Sequence, residues 1–199
     1  MLDVEGVLTP EIWIAVAEAT GVEELRRTTK DEPDYNKLMA GRIAALDANN
    51  VCLSDIQTII GGLDPLPGAA EFMDELRART QVVLLSDTFE QFISPLMAKL
   101  GNPTILCHRL GVVDDCIVQF EPRIADQKRR AVEAFRSLNF RVIAAGDSFN
   151  DLSMIDAAHV GFLFKAPQKI RDDRADLRAF DTHPELLAAI AEVSVPNPV

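Results

Sequence analysis

Cysteine, long apolar runs and positive charge are all scarce in this chain, and each shortage removes a class of protein. Of its 199 residues only Cys52, Cys107 and Cys116 are cysteines. The number is odd, no C-x-x-C spacing occurs and no secretory leader is expected upstream. Neither a disulfide scaffold nor a zinc cluster is therefore expected, and a reducing cytoplasm is the default compartment. No apolar run nears the ~20 residues of a membrane span, so a soluble protein with no membrane partner is expected. There are 20 Lys and Arg against 31 Asp and Glu, a formal net charge of −11. Nucleic-acid backbones are held by basic stripes, so no nucleic-acid partner is expected. His108, His159 and His183 are scattered without ligand spacing, which reads as surface or capped histidines rather than metal ligands. Internal repeats and low-complexity tracts are missing too.

What remains is globular: 48% hydrophobic and 26% charged residues, with 10 Gly and 11 Pro. At ~150 residues per domain, the length suits one large domain or a core with a small insertion. Residues 10–30 read as a helix, with Pro10 suited to its first turn and Ile12, Ala15, Val16 and Ala19 at helical spacing before Gly21. Two more helical stretches follow at 34–48 and 53–61, with loops around 31–33 and 49–50. After Pro65 the texture changes to short apolar runs separated by amphipathic helices. The runs are 81–85, 104–107, 117–120, 141–145 and 160–164, and helices fall over 68–79, 89–100 and 126–138. This alternation predicts an α/β fold, a Rossmann-like doubly wound parallel sheet covered on both faces. A ligand belongs beyond the carboxyl ends of such strands. The last residues, 193–199, read as a loose tail.

Three polar clusters stand at predicted strand ends: Asp3-Val-Glu5, Ser86-Asp-Thr88 and Gly146-Asp-Ser-Phe-Asn-Asp151. Each has a plain reading. Asp3 and Glu5 suit a turn; Ser86 suits a helix N-cap, whose exposed amides also bind phosphate; Lys128 suits a solvated helix face. The last cluster is the strongest, because crowded carboxylates repel unless a cation or proton compensates.

Taken together and in this order, the clusters resemble the four motifs of the haloacid-dehalogenase superfamily of phosphohydrolases, with Lys128 as the third. The resemblance spans nearly the whole chain. It implies a catalytic core over 1–8 and 65–199 with a small helical cap over 9–64, inserted after the first strand. It implies that Asp3 is a nucleophile forming an aspartyl-phosphate, and that Mg²⁺ is held by Asp3, Asp147 and the carbonyl of Glu5. The Glu5 side chain would be the acid/base, Lys128 would neutralise the nucleophile and the phosphoryl group, and Asp151 would orient them from behind. Ser86, Asp87, Thr88 and Asn150 would bind on the phosphate side.

Within that superfamily the chain is most similar to phosphoserine phosphatases, which implies a small phosphorylated amino acid as substrate. Glu11 would then meet its ammonium and Arg42 its carboxylate, where the plain readings are a first-turn acid and a surface arginine. Glu5 replaces the usual Asp, and Ser86-Asp-Thr88 the usual Ser-Gly-Gly. With Thr9-Pro-Glu-Ile-Trp13, these features resemble a bifunctional subgroup that also passes the phosphoryl group to homoserine. Other readings share these residues: a phosphatase for a different small phosphomonoester, a phospho-acceptor signalling domain without turnover, or an inactive binding protein. A homodimer is the common default for such a chain. Only Met1 and Leu2 precede Asp3, so either the start lies within a longer strand or the first strand is short. An apolar N-terminal extension is expected to raise the melting temperature.

Overall fold

The structure, a computed structural model, describes residues 1–28, 31–32 and 34–194. Its elements run α1 (Ile12–Thr20), α2 (Tyr35–Ala48), α3 (Leu53–Gly62), α4 (Ala69–Arg77), β1 (Val83–Phe89), α5 (Glu90–Lys99), β2 (Thr104–Val113) and β3 (Cys116–Glu121). They continue as α6 (Gln127–Ser137), β4 (Ile143–Gly146), α7 (Leu152–Ala157), β5 (Val160–Phe164), α8 (Gln168–Asp173), β6 (Arg178–Phe180) and α9 (His183–Ser194). Among the described residues no helix is long and apolar enough to cross a membrane.

Parallel strands β6, β5 and β4 form one half of the sheet, and β1 with β2 the other. Leu2 joins the halves by bridging Leu84 on one side and Ala145 on the other. The joint is short but fully bonded. Leu2 N donates to Val83 O at 3.1 Å, Leu85 N to Leu2 O at 2.8 Å, Asp3 N to Ala145 O at 3.0 Å and Ala145 N to Met1 O at 3.0 Å.

Alternation along these strands fills two separate cores, as burial on both faces requires. Leu84, Ala145, Phe162 and Phe164 point into one, with Phe89 and Phe92. Leu85, Ala144 and Leu163 point into the other, against Val132, Met154 and Ile170. The predicted doubly wound α/β sheet is therefore present. Helices α1–α3 pack together between Leu8 and α4. Trp13 of α1 meets Phe92 edge-on at 5.2 Å, and Tyr35 of α2 meets Phe120 of the β2–β3 hairpin at 5.8 Å.

Several local expectations change. The 10–30 helix is two pieces: Gly21, at φ 73°, takes the left-handed cap that ends α1, and a 3₁₀ turn follows over Glu23–Arg26. Residues 29–30 and 33, and 195–199 of the expected tail, lie outside the described residues, while 193–194 belong to α9. Ser86 is not a helix N-cap. Strand β1 runs on to Phe89, its register against β2 shifting between Leu85 and Phe89, and Ser86 Oγ instead accepts from Thr88 N at 3.2 Å. Of the histidines, His108 and His183 are buried rather than on the surface; the ring Nε2 of His183 pairs with Val7 O at 2.8 Å.

Candidate active site

The carboxyl ends of the Leu2 segment, β1 and β4 converge, and Lys128 reaches into them from the first turn of α6. Its Nζ stands 2.8 Å from Asp3 Oδ1, 2.7 Å from Asp151 Oδ1 and 3.5 Å from Asp87 Oδ2. Asp3, Lys128 and Asp151 are all buried, Asp151 completely. An ammonium taken from water at this depth is costly, so it persists only because three carboxylates surround it. Burial works against its charge, but Asp151, Asp3 and Asp87 outweigh burial and raise its pKa well above the ordinary lysine value.

Asp151 is fully committed. Its Oδ2 accepts from the backbone amides of Asp147 and Ser148 and from Ser148 Oγ, each at 3.0 Å, while Oδ1 holds Lys128. It therefore fixes both the lysine and the loop that carries Asp147. The packing leaves no room for error here. A Cβ on Gly146 would lie 2.3 Å from Asp151 Cγ, and one on Gly6, at φ 78°, 2.4 Å from Asp147 Oδ2. Gly6 did not stand out in the sequence and Gly146 only as the head of the last cluster, because only the folded loop shows what each must avoid.

Carboxylate oxygens of Asp3, Asp147 and Asp151 all lie within 4.8 Å of one another. Burial, then the charge of Asp151, pushes Asp147 up to about 7, and burial and Asp151 likewise raise Asp3 well above its usual range. Two acids held this reluctantly, with hard oxygen donors and one of three carboxylates already occupied, fit a small divalent cation.

A second group of charges faces the first from α1 and α2. Glu5 follows Asp3 round a turn in which Gly6 N donates to Thr9 O at 2.8 Å. Its Oε2 accepts from Ile12 N at 2.9 Å, tying it to the start of α1. Burial, then the neighbouring Glu11, raises Glu5 to about 7. Arg42 is not a surface arginine. Only 7% exposed, it lies 4.5 Å over the Trp13 ring, donates to Arg27 O at 2.7 Å and faces Tyr35, Glu5 and Glu11. Burial lowers it to about 10, and its Nε is buried without a hydrogen-bond partner. An orphaned guanidinium N–H that is desolvated beside two acids is a ready donor for an anionic ligand.

Ser86 and Thr88 are buried at the end of β1, and Gln127 Nε2 donates to Ser86 O at 2.6 Å. Asp87 points toward Lys128 and, at 3.6 Å, toward His108 Nε2; burial opposes its charge, but Lys128 and His108 hold it down at about 2. Tyr35 donates its hydroxyl to Asp87 O at 2.9 Å. Asn150 is exposed, and with Tyr35, Asp87, His108 and Lys128 it lines a cavity of about 330 Å³ beside the cluster. Tyr35, Gln127 and His108 were missed in the sequence. None lies in a motif, and each reaches the site only through tertiary packing.

An aspartate at a central strand end, a lysine pinned by a second acidic loop and helices laid over them define the haloacid dehalogenase-like hydrolases. The model of that family matches residues 1–159, and the chain belongs to it. It is 52% identical to phosphoserine phosphatase ThrH of Pseudomonas aeruginosa over 186 residues, covering 93% of this chain and 91% of that one. It is 53% identical to a phosphoserine phosphatase of Pseudomonas syringae pv. tomato, covering 93% and 78%. A solved phospho-aspartyl intermediate analogue of phosphoserine phosphatase shares the fold, with a TM-score of 0.77 at 21% identity over 96% of each chain.

Proposed function

We propose that this chain is a cytoplasmic, Mg²⁺-dependent phosphatase for L-phosphoserine that works through a phosphorylated Asp3. The observation that carries this reading is Lys128 bridging Asp3 and Asp151 at the strand ends, with Asp147 beside them. The names of the relatives at 52% and 53% identity support the substrate.

Phosphomonoester oxygens repel a nucleophile, so the site must neutralise charge and hold the attacker in line. Lys128 holds one Asp3 oxygen and leaves the other to attack phosphorus, while its charge draws on the phosphoryl oxygens. Ser86, Thr88 and nearby backbone amides bind those oxygens, with Asp87 and Asn150 at the rim. Glu5, poised near neutrality, gives its proton to the departing serine oxygen and then takes one from the water that opens the acyl-phosphate. Asp3, Asp147 and the Glu5 carbonyl would hold Mg²⁺, which would add positive charge where the phosphoryl group gathers negative charge. The serine end faces α1–α3, taken here as a cap over 9–64 on a core of 1–8 and 65–199. There Arg42 takes the carboxylate and Glu11 the ammonium. Phosphate release from L-phosphoserine with and without Mg²⁺ tests this; silence from the folded, magnesium-loaded protein would sink it.

A second acceptor is part of the same proposal. Glu5 is one methylene longer than Asp and is anchored to Ile12 N, which sets its carboxyl on the cap side, where an alcohol such as homoserine can compete with water. With homoserine present, Glu5→Asp should change the ratio of phosphohomoserine to free phosphate. An unchanged ratio would remove Glu5 as the cause.

A further inference from the structure

Helices α1–α3 also meet the core at a place that takes no part in this chemistry, the turn of the β2–β3 hairpin. Asp114 and Asp115, at φ 47° and 65°, form a two-residue turn between the paired residues Val113 and Cys116. Positive φ at both positions usually selects Asn-Gly. Here Asp115 has a second task. Its carbonyl accepts from Leu53 N at 2.9 Å, its Oδ1 from Ser54 N at 3.1 Å and its Oδ2 from Ser54 Oγ at 2.5 Å. The hairpin thus caps the first amides of α3 and puts a negative charge at the positive end of that helix.

Cys52 immediately precedes Leu53, and Cys116 immediately follows Asp115. The two cysteines flank the Leu53–Asp115 hydrogen bond, Cys52 one residue before its donor and Cys116 one residue after its acceptor. A disulfide spans Cα atoms ~4.4–6.8 Å apart. The side chains lie close enough for the Cys116 thiol to act on that of Cys52. Cys116 is exposed and Cys52 half-buried, while Cys107 is buried.

We infer that Cys52 and Cys116 are an oxidisable pair whose disulfide clasps the start of α3 to the β2–β3 hairpin and holds the α1–α3 layer closed on the core. The oxidant is a small disulfide of the glutathione type. The exposed Cys116 thiolate attacks one of its sulfurs, expelling one glutathione thiolate and leaving a mixed disulfide. Cys52, deprotonated in turn, attacks the Cys116 sulfur and expels the second. Two protein thiols are oxidised and one glutathione disulfide is reduced, the two protons given up by the cysteines ending on the two glutathione thiols. Cys116 is the more exposed of the two, and burial, the Cys116 thiol and the acids Asp115 and Asp55 raise the Cys52 thiol above its ordinary value, so Cys52 is the resolving partner. If substrate enters and product leaves by movement of α1–α3, the closed clasp slows turnover. That consequence rests on the proposed phosphatase reading; the clasp itself does not.

The test takes the full chain through glutathione buffers of increasing oxidised fraction. Denatured thiol counts should fall from three to one, with intact mass lower by two hydrogens. Peptide mapping should join 52 to 116 and leave Cys107 alkylatable. Phosphate release from phosphoserine should drop several-fold and return with dithiothreitol, and amide exchange in α2 and α3 should slow. Cys52→Ser and Cys116→Ser should keep full activity and resist the drop. Three thiols persisting, or stable glutathione adducts in place of the cross-link, would overturn the clasp. A clean cross-link with unaltered exchange and turnover would overturn the closure. A reduced protein inactive on phosphoserine would fail the phosphatase reading alone, since thiol count and exchange still decide this one.

Discussion

The strand position held by Met1–Asp3 has two ends, and they are built on opposite terms. At the carboxyl end, Asp3 stands in a crowd of buried charge in which Lys128 answers Asp3, Asp151 and Asp87 at once. At the amino end, beside Met1, lies a cavity of about 360 Å³ lined by Leu76, Val82, Val83, Phe135, Val142 and Ile190 among others. Both ends subtract from stability. The first does so by confining acids that would rather be protonated, the second by leaving the apolar lining of that cavity uncovered. Only the first has a chemical return. Substitutions at the carboxyl end should therefore separate activity from stability, whereas filling the amino end should change stability alone.

The largest effect is expected from Asp3→Asn. It removes the attacking oxygen but keeps an acceptor for Lys128, so phosphate release should fall by ~10⁴-fold or more. Stability should move the other way. Asp3 is disfavoured as an anion by burial and by Asp151, and an uncharged amide relieves that. Thermal denaturation should show Tm rising by ~2–4 °C for each kcal/mol relieved. A lower Tm would mean that the Asp3–Lys128 pair is a net stabiliser and that the two ends differ less than argued.

Lys128→Met is next. It takes the only cation within hydrogen-bond distance of Asp3 and Asp151 among the described residues and leaves both carboxylates buried without it. Breaking one side of a buried ion pair costs ~3–5 kcal/mol, so activity and stability should both fall. Denaturant unfolding at neutral pH checks the second; recovery of stability at low pH, where the acids protonate, would confirm the cause.

Third comes pH. Glu5 and Asp147 are raised to about 7, whereas unfolded carboxyls titrate near ~4. Between those values the folded chain keeps protons that the unfolded chain has lost, so folding stability falls as pH rises from ~4 to ~7. Without metal, Asp147→Asn should flatten that decline relative to the parent chain. The rise in Tm on adding Mg²⁺ should grow over the same range. Parallel pH profiles for the two chains would show that Asp147 does not titrate as its surroundings dictate.

The contrast also marks what could be read in the sequence. The parallel sheet was legible because its strands are short apolar runs between amphipathic helices; Asp147 and Asp151 stood out as crowded carboxylates at a strand end, whereas Asp3 and Lys128 became candidates only through the order of the motifs and the family resemblance. Arg42 was visible only as a candidate. Its burial over Trp13 comes from α1 and α2 packing, which no local pattern encodes. Ser86 misled as an N-cap because Ser-Asp-Thr after a strand is good capping chemistry; the strand's continuation to Phe89 is decided by pairing with β2. Asp115 as a cap for α3, 61 residues distant, could not be seen at all.

The smallest effect sharpens the other end. Met1 donates its amine to Ile143 O at 2.6 Å, and burial lowers that amine to about 5. Residues in a parallel ladder turn their backbone groups alternately to either neighbour. Since Val83 O and Ile143 O accept from Leu2 and Met1, the amides of Val83 and Ile143 face the cavity as well. Four extended apolar residues joined to the Met1 nitrogen would meet those amides and bury side chains against Leu76, Phe135 and Ile190. Each buried side chain returns ~1.5–3 kcal/mol and each ordered residue costs ~1–2 kcal/mol, so the net gain is modest, on the order of 1–3 kcal/mol. Tm should rise by several degrees with kcat unchanged, while a Gly-Ser extension of equal length should not raise it. The sign with pH is distinctive. An unfolded amine binds its proton near pH 8 and the buried one only near 5, so the parent chain loses stability as pH falls through that window. The extension moves the amine into solvent and removes this loss, so its advantage should be greater at pH 6 than at pH 8.5. Equal gains at both would mean that the cavity fills but the amine was never desolvated; no gain at either would mean that the cavity does not accept an added strand.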